Sequence, residues 1–204
     1  MKRLAVVIWI SLAAVASASV GSIDLAELAK QTAMVVIADV RKVETIGGIK
    51  IATADVVSKV KGQPDSRVYF VAQPTWKCDI SSAAPGERVL LFLNAIKDSK
   101  AKGSPDLRAA NQEIARRGAS LYLIAHSGRG QIVLRKAQGW SASVEHQFDK
   151  RWELQVNLVL PKGSQVKKEN AKTGRVELST MLAIVARAAE PSPKSTSNAA
   201  KRKR

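Results

Sequence analysis

The 204-residue chain is poor in the residue types that most often announce chemistry. It has one cysteine, two histidines, two tyrosines and three phenylalanines. The single Cys78 excludes a disulfide within the chain, and with it a disulfide-stapled scaffold. Neither His126 nor His146 has a second histidine at metal spacing, so a zinc site has only scattered ligands to draw on. No G-x-S-x-G elbow for a serine hydrolase is present. The stretch "HSGRGQ" (126–131) lacks the Walker spacing and the Lys-Ser/Thr of a phosphate loop, and reads as a tight hairpin. There is no Rossmann fingerprint, paired acidic motif or calcium loop. A Cys78–His126 or Cys78–His146 nucleophile pair stays open, because such partners meet in space and not in sequence. With no cofactor or metal motif, neither is expected, and the chain reads as non-enzymatic.

Long hydrophobic runs are also missing. Met1-Lys2-Arg3 is followed by Leu4 to Val15, apolar apart from Ser11, and then by the small residues Ala16-Ser17-Ala18. That is the three-part pattern of a secretory signal peptide. The apolar run falls short of the roughly 20 residues of a spanning helix, and an uncleaved N-terminal anchor is the alternative. No cysteine follows it to carry a lipid. No later segment approaches spanning length, so no transmembrane segment is expected after cleavage. The expected organisation is a signal peptide at 1–18, one domain at 19–190 and a tail at 191–204, in a secreted or periplasmic protein.

Acidic residues are scarce. Lys and Arg number 33 against 17 Asp and Glu, a formal charge of +16. Without Lys2 and Arg3 it is +14, and without the tail's five cations it is +9, so the body is basic too. Such a field favours anionic partners and says nothing about fold. The tail has no apolar residue larger than Ala and reads as disordered. Its end, Lys201-Arg202-Lys203-Arg204, suits an anionic lipid or polymer surface, or is a solvated terminus.

What the chain does have is β-pattern. "AMVVIADVRKVE" (33–44) and "GIKIATADVVSKVKG" (48–62) are rich in Val and Ile, with glycines between them for a hairpin turn. In the second, Ala52, Ala54, Val56, Ser58 and Val60 fall on one face. Further strands are expected at 67–72, 87–94, 119–127, 131–137 and 153–160, with "GRG" (128–130) turning a second hairpin. The run 153–160 alternates with period two. Helices are expected at 22–33, capped by Ser22; at 104–118, with Ser104 as cap, Pro105 at the first position and Gly118 as stop; and at 178–190, with Met181, Ile184, Val185 and Ala188 on one side. The fold class is mainly β, a small barrel or sandwich with short flanking helices.

The succession from "AMVVIADVRKVE" through "ATADVVSKVKGQ" to "CDISSAAPGERVLLFL", with "LYLIAHSGRGQIVL" after it, resembles the netrin-like domain. That module is shared with tissue inhibitors of metalloproteinases and many secreted bacterial proteins of unknown function. The similarity runs through Lys61-Gly62, Cys78, and Pro85-Gly86 leading into Val89–Leu93. It implies a five-stranded OB-like barrel. The inhibitors chelate zinc through an N-terminal cysteine and staple their barrels with disulfides. Here the expected mature end is Ser19 and Cys78 has no partner in the chain, so neither property carries over. Cys78 is left as a buried small residue, an intermolecular link or an exposed thiol.

OB-like barrels often bind nucleic acids or sugars with aromatics that stack and bases that hold charge. Only Trp76 beside Lys77, and Trp152 after Lys150-Arg151, combine the two. These five are the candidate binding residues, with core or barrel-end packing as the alternative for each Trp. The reading is an exported binding or adaptor module for a protein or anionic envelope component, with no nucleic acid expected. The alternatives are a structural basic protein of the envelope, or an enzyme with a Cys78 nucleophile.

Overall fold

The computed structural model describes residues 22–77, 79–96, 103–136, 140–145, 158–168 and 173–190. In chain order its elements are β1 (Ile23–Asp24), α1 (Leu25–Gln31), β2 (Met34–Ile46), β3 (Ile49–Lys61), β4 (Arg67–Val71), β5 (Arg88–Ala95) and α2 (Pro105–Arg116). There follow β6 (Leu121–Ile124), β7 (Gln131–Lys136), β8 (Trp140–Glu145), β9 (Leu158–Val159), β10 (Lys167–Lys168), β11 (Thr173–Glu177) and α3 (Leu178–Ala189).

Two 13-residue strands rich in Val and Ile, β2 and β3, form the long hairpin on which the rest is laid. Gly47 and Gly48 turn it at φ of 57° and 86°. They answer a second demand as well: a Cβ on Gly47 would stand 2.6 Å from the Ala110 amide nitrogen, so α2 docks directly on the turn. The order β5-β2-β3-β4-β6, closed by a β5–β6 pairing, makes a five-stranded barrel, and the fold is mainly β and consistent with an OB-like architecture. Neighbours are antiparallel except β4 and β6, which run parallel.

The barrel interior is filled by Val36, Ala38, Val40, Ala52, Ala54, Val68, Phe70, Leu91 and Leu93, among others. Ala52 is the register partner of Phe70, so the smallest side chain admits the largest ring. Two outer clusters complete the core. α1 and α3 cover Leu90, Phe92, Ile132, Leu134, Ala142 and Val176, and α2 covers Ile49, Ile51, Val71 and Leu121.

Three expectations are corrected. The face expected to run from Ala52 to Val60 breaks: Ala52, Ala54 and Val56 face the interior, whereas Val60 packs under α3. Register shifts in the β2–β3 ladder between Val35 and Val36, Ile37 and Ala38, and Val40 and Lys42 interrupt strict alternation. Helix α1 does not start at Ser22. Residues 23 and 24 are held extended by pairing with Leu158 and Val159, so the cap passes to Asp24, whose carboxylate accepts from Ala26 N at 2.8 Å. Of the strand expected at 153–160, Leu158–Val159 is one, and 151–157 lie outside the described residues.

The third correction matters most. "GRG" turns no hairpin. β6 and β7 do not pair with each other; both lie along the same edge of β5, in the same direction. β6 takes Leu93, Asn94 and Ala95, and β7 takes Arg88 to Leu91. β6 belongs to the barrel, while β7 leads out through β8 and β11 to β10 as a sheet arm. Helix α2 is as expected, with the Ser104 cap, Pro105 at its start and Gly118 at φ 73° beyond its end. α3 carries Met181 and Val185 inward, also as expected. Residues 1–18, expected as a signal peptide, Cys78, and residues 191–204, expected as a tail, lie outside the described residues. Among those described, no helix is long and apolar enough to cross a membrane.

Candidate functional site

Between β6 and β7 the chain swings out opposite Phe92 and returns. Ala125 N donates to Phe92 O and Phe92 N donates to Gly130 O, each at 2.8 Å. Gly130 N closes the neck onto Ala125 O at 3.0 Å. The residue at 130 must be small, because a Cβ there would lie 3.0 Å from the Phe92 Cβ. Inside the excursion His126, Ser127 and Gly128 all take left-handed backbone, at φ 50°, 56° and 86°. Such a conformation costs about 1–2 kcal/mol for a residue with a Cβ and persists only where the surroundings impose it.

The surroundings here are the segment 75–81. Ile80 N donates to Ser127 O at 3.0 Å. Gly128 presses on the backbone of Ile80 and Ser81. That segment is itself held by one buried carboxylate. Asp79 Oδ2 accepts from Thr75 N and Thr75 Oγ1, both at 2.8 Å, and Oδ1 accepts from Ser81 N at 2.8 Å and Ser81 Oγ at 2.6 Å. Burial pushes the Asp79 carboxyl up. The hydrogen bonds from Ser81 and Thr75 outweigh it and hold the group below the usual aspartate range, so it is an anion that accepts from all four donors. A turn bond from Asp79 N to Trp76 O, at 3.0 Å, completes the segment. With its polar groups turned inward onto Asp79, the segment leaves its large apolar side chains outside: Trp76 is 47% exposed and Ile80 54%.

These two loops form two walls of a cleft of about 540 Å³. The third is the start of α2, at Gly103, Ser104 and Leu107, and the floor is Leu123 and Ile124 of β6. Asn94 stands beside the floor; its Oδ1 accepts from Ala33 N at 2.9 Å. Although the chain carries +16, no Lys or Arg is among the described residues that line the cleft.

Of the residues singled out in the sequence, Trp76 lines this cleft and Lys77 is exposed next to it. Trp76 is about half exposed and so is not a core residue. Lys150, Arg151 and Trp152 lie outside the described residues, as do Lys201, Arg202, Lys203 and Arg204. His126 lines the cleft, and Cys78 and His146 are outside the described residues. Thr75, Asp79, Ser81, Asn94, Ser104 and Ser127 were not legible as site residues. The one local signal was Thr75 and Ser81 bracketing Asp79, the arrangement in which short polar side chains satisfy one another and nearby amides.

Comparison of the chain with models of known protein families, with curated proteins and with solved structures found no match.

Proposed function

We propose that the protein is an exported, non-catalytic binding module that acts on a component of the cell envelope through the cleft beside β6. The observation that carries this reading is Trp76, about half exposed at the mouth of a cleft whose two loops brace each other. A large aromatic held in water by a rigid loop gives up little entropy when it is covered, and strained non-glycine backbone such as that of His126 and Ser127 concentrates at ligand sites. Support for export comes from the pattern of residues 1–18. Support for kinship with netrin-like barrels comes from the order of β2, the Lys61-Gly62 turn, Cys78, and Pro85-Gly86 leading into β5.

The test is co-sedimentation of the purified exported protein with envelope fractions from the cells that make it. Trp76→Ala is expected to lose retention at an unchanged melting temperature; equal retention would remove the cleft from the reading. N-terminal sequencing of the exported protein is expected to begin at Ser19, and a membrane-bound product retaining Met1 would remove export.

A second reading, a Cys-dependent enzyme, has one observation in its favour. His126 lines the same cleft as Trp76 and Asp79, which stand two residues before and one after Cys78. Retention lost on Cys78→Ser and spared by Trp76→Ala would favour it.

A further inference from the structure

The polarity of the cleft narrows its ligand. The Asp79 carboxylate has no proton to give, so the hydroxyls of Thr75 and Ser81 that bond to it at 2.8 and 2.6 Å must both donate their protons to it. Each then faces away from Asp79 with lone pairs only. A ligand that meets them has to supply hydrogen-bond donors. Asn94 has the opposite bias: its Oδ1 is taken by Ala33 N, leaving amide N–H groups to give. Ser104 is likewise left with its hydroxyl proton, because its Oγ accepts from Leu107 N at 3.3 Å.

The cleft therefore shows acceptors without protons to give at Thr75 and Ser81, and groups that still hold protons to give at Asn94 and Ser104. A phosphate, sulfate or carboxylate offers acceptors alone. It would set its oxygens against the lone pairs of Thr75 and Ser81. An ammonium offers donors alone and would leave the amide N–H groups of Asn94 without an acceptor. A hydroxyl is both donor and acceptor. The same 75–81 wall also presents the half-exposed indole of Trp76, and the floor is apolar at Leu123 and Ile124. Such a surface takes the C–H face of a ring whose edge is ringed by hydroxyls. We infer that the cleft binds an uncharged carbohydrate, with one sugar ring stacked on Trp76 and its hydroxyls divided between the Thr75–Ser81 pair and the Asn94–Ser104 pair.

The inference rests on the cleft being the binding site, and the experiment separates the two. Full-length exported protein is titrated, by calorimetry and by indole emission, with neutral hexasaccharides of glucose and of N-acetylglucosamine, and with a sulfated hexasaccharide. Binding of a neutral hexasaccharide is expected, unchanged between about 50 and 500 mM salt because no charge is screened. Trp76→Ala is expected to weaken it by about tenfold or more. Thr75→Val, which keeps the shape and removes the hydroxyl, is expected to weaken it by about fivefold, while Lys59→Gln, on the exposed surface of β3 outside the cleft lining, leaves it unchanged. Binding confined to the sulfated sugar, abolished by Trp76→Ala and falling with salt, would overturn the carbohydrate class and leave the cleft in place. Sugar binding that Trp76→Ala does not touch would overturn both. Failure of every neutral hexasaccharide to bind at millimolar concentration would overturn the inference alone, provided that retention on the envelope still depends on Trp76.

Discussion

Gly128 and Ser81 meet backbone to backbone: a Cβ built on Gly128 would stand 2.3 Å from the Ser81 amide nitrogen. No side-chain rotation relieves a clash with an amide, so one of the two loops must move to admit any other residue. Gly128→Ala therefore faces steric exclusion as well as left-handed backbone at φ 86°. Gly86 provides the control, since its φ is 87° and its Cβ position is empty within 4 Å. Gly86→Ala is expected to cost about 1 kcal/mol, the backbone strain alone, and Gly128→Ala about 3 kcal/mol or more. Urea denaturation of both variants checks the difference. Equal costs would mean that the loops do not touch in solution.

Asp79 gives the same segment a pH dependence. Its carboxyl titrates lower in the folded protein than in the unfolded chain, where aspartate titrates near about 4. The unfolded state therefore binds the proton more readily. The stabilisation is complete above about pH 5 and is lost as pH falls through the lowered folded value. Asp79→Asn presents an amide –NH₂ to donors on one side, and is expected to cost about 2 kcal/mol at pH 7. Its loss of stability between about pH 5 and pH 2 is expected to be shallower than that of the unsubstituted protein. Thermal melts across that range check it; parallel curves would mean that Asp79 is not ionised where it sits.

The barrel was legible because its strands are written in period two with Val and Ile, and α2 because Ser104, Pro105 and Gly118 punctuate it. The partition of β5 was not. Two strands flanking Gly-Arg-Gly look alike whether they pair with each other or lie end to end along a third, and only the free edge of β5 from Arg88 to Ala95 decides between them. The cleft was hidden for the same reason. Thr75, Asn94, Ser104 and Ser127 are brought together by the closure of β6 on β4 and β5, which no local pattern encodes. Trp76 was visible as a candidate and undecided, since a Trp beside a Lys is equally at home in a core edge and at a binding surface.

Lys61 was read as part of a turn, and the structure gives it a further task. Its Nζ donates to the carbonyls of Ala29 at 2.6 Å, Lys30 at 3.2 Å and Thr32 at 2.6 Å, the groups that α1 leaves open at its C-terminal end. The charge also complements the helix dipole. Lys61→Met keeps the stem and removes the donors, and is expected to cost about 1–2 kcal/mol. Amide exchange should rise in α1 more than in the barrel strands. Uniform exchange rates across the two would show that the amine caps nothing.

Across four strands the register sets Arg88, Asp39, Asp55 and Arg67 in one row. Two carboxylates face each other at its centre, an arrangement that destabilises a sheet when it stands alone. Arg88 answers Asp39 with two bonds of 2.6 Å, from Nε and Nη2, and Arg41 and Arg67 both reach Asp55, at 2.7 and 3.0 Å. The hydrogen bond from Arg88 lowers the Asp39 carboxyl below its usual range against the opposing pull of burial. The two ends are not of equal worth. Arg88 and Asp39 are each less than a third exposed and engage two-pronged, whereas Arg41 and Arg67 stand mostly in water. A double-mutant cycle on Arg88→Met and Asp39→Asn is expected to give a coupling of about 1 kcal/mol, and Arg41→Met with Asp55→Asn none that can be measured. Arg88→Met alone leaves Asp39 facing Asp55 with its partner gone. Its Asp39 should therefore titrate higher than in the unsubstituted protein, and carbon-detected NMR of that carboxyl would show it; an unmoved titration would remove Arg88 as the group that holds the row together.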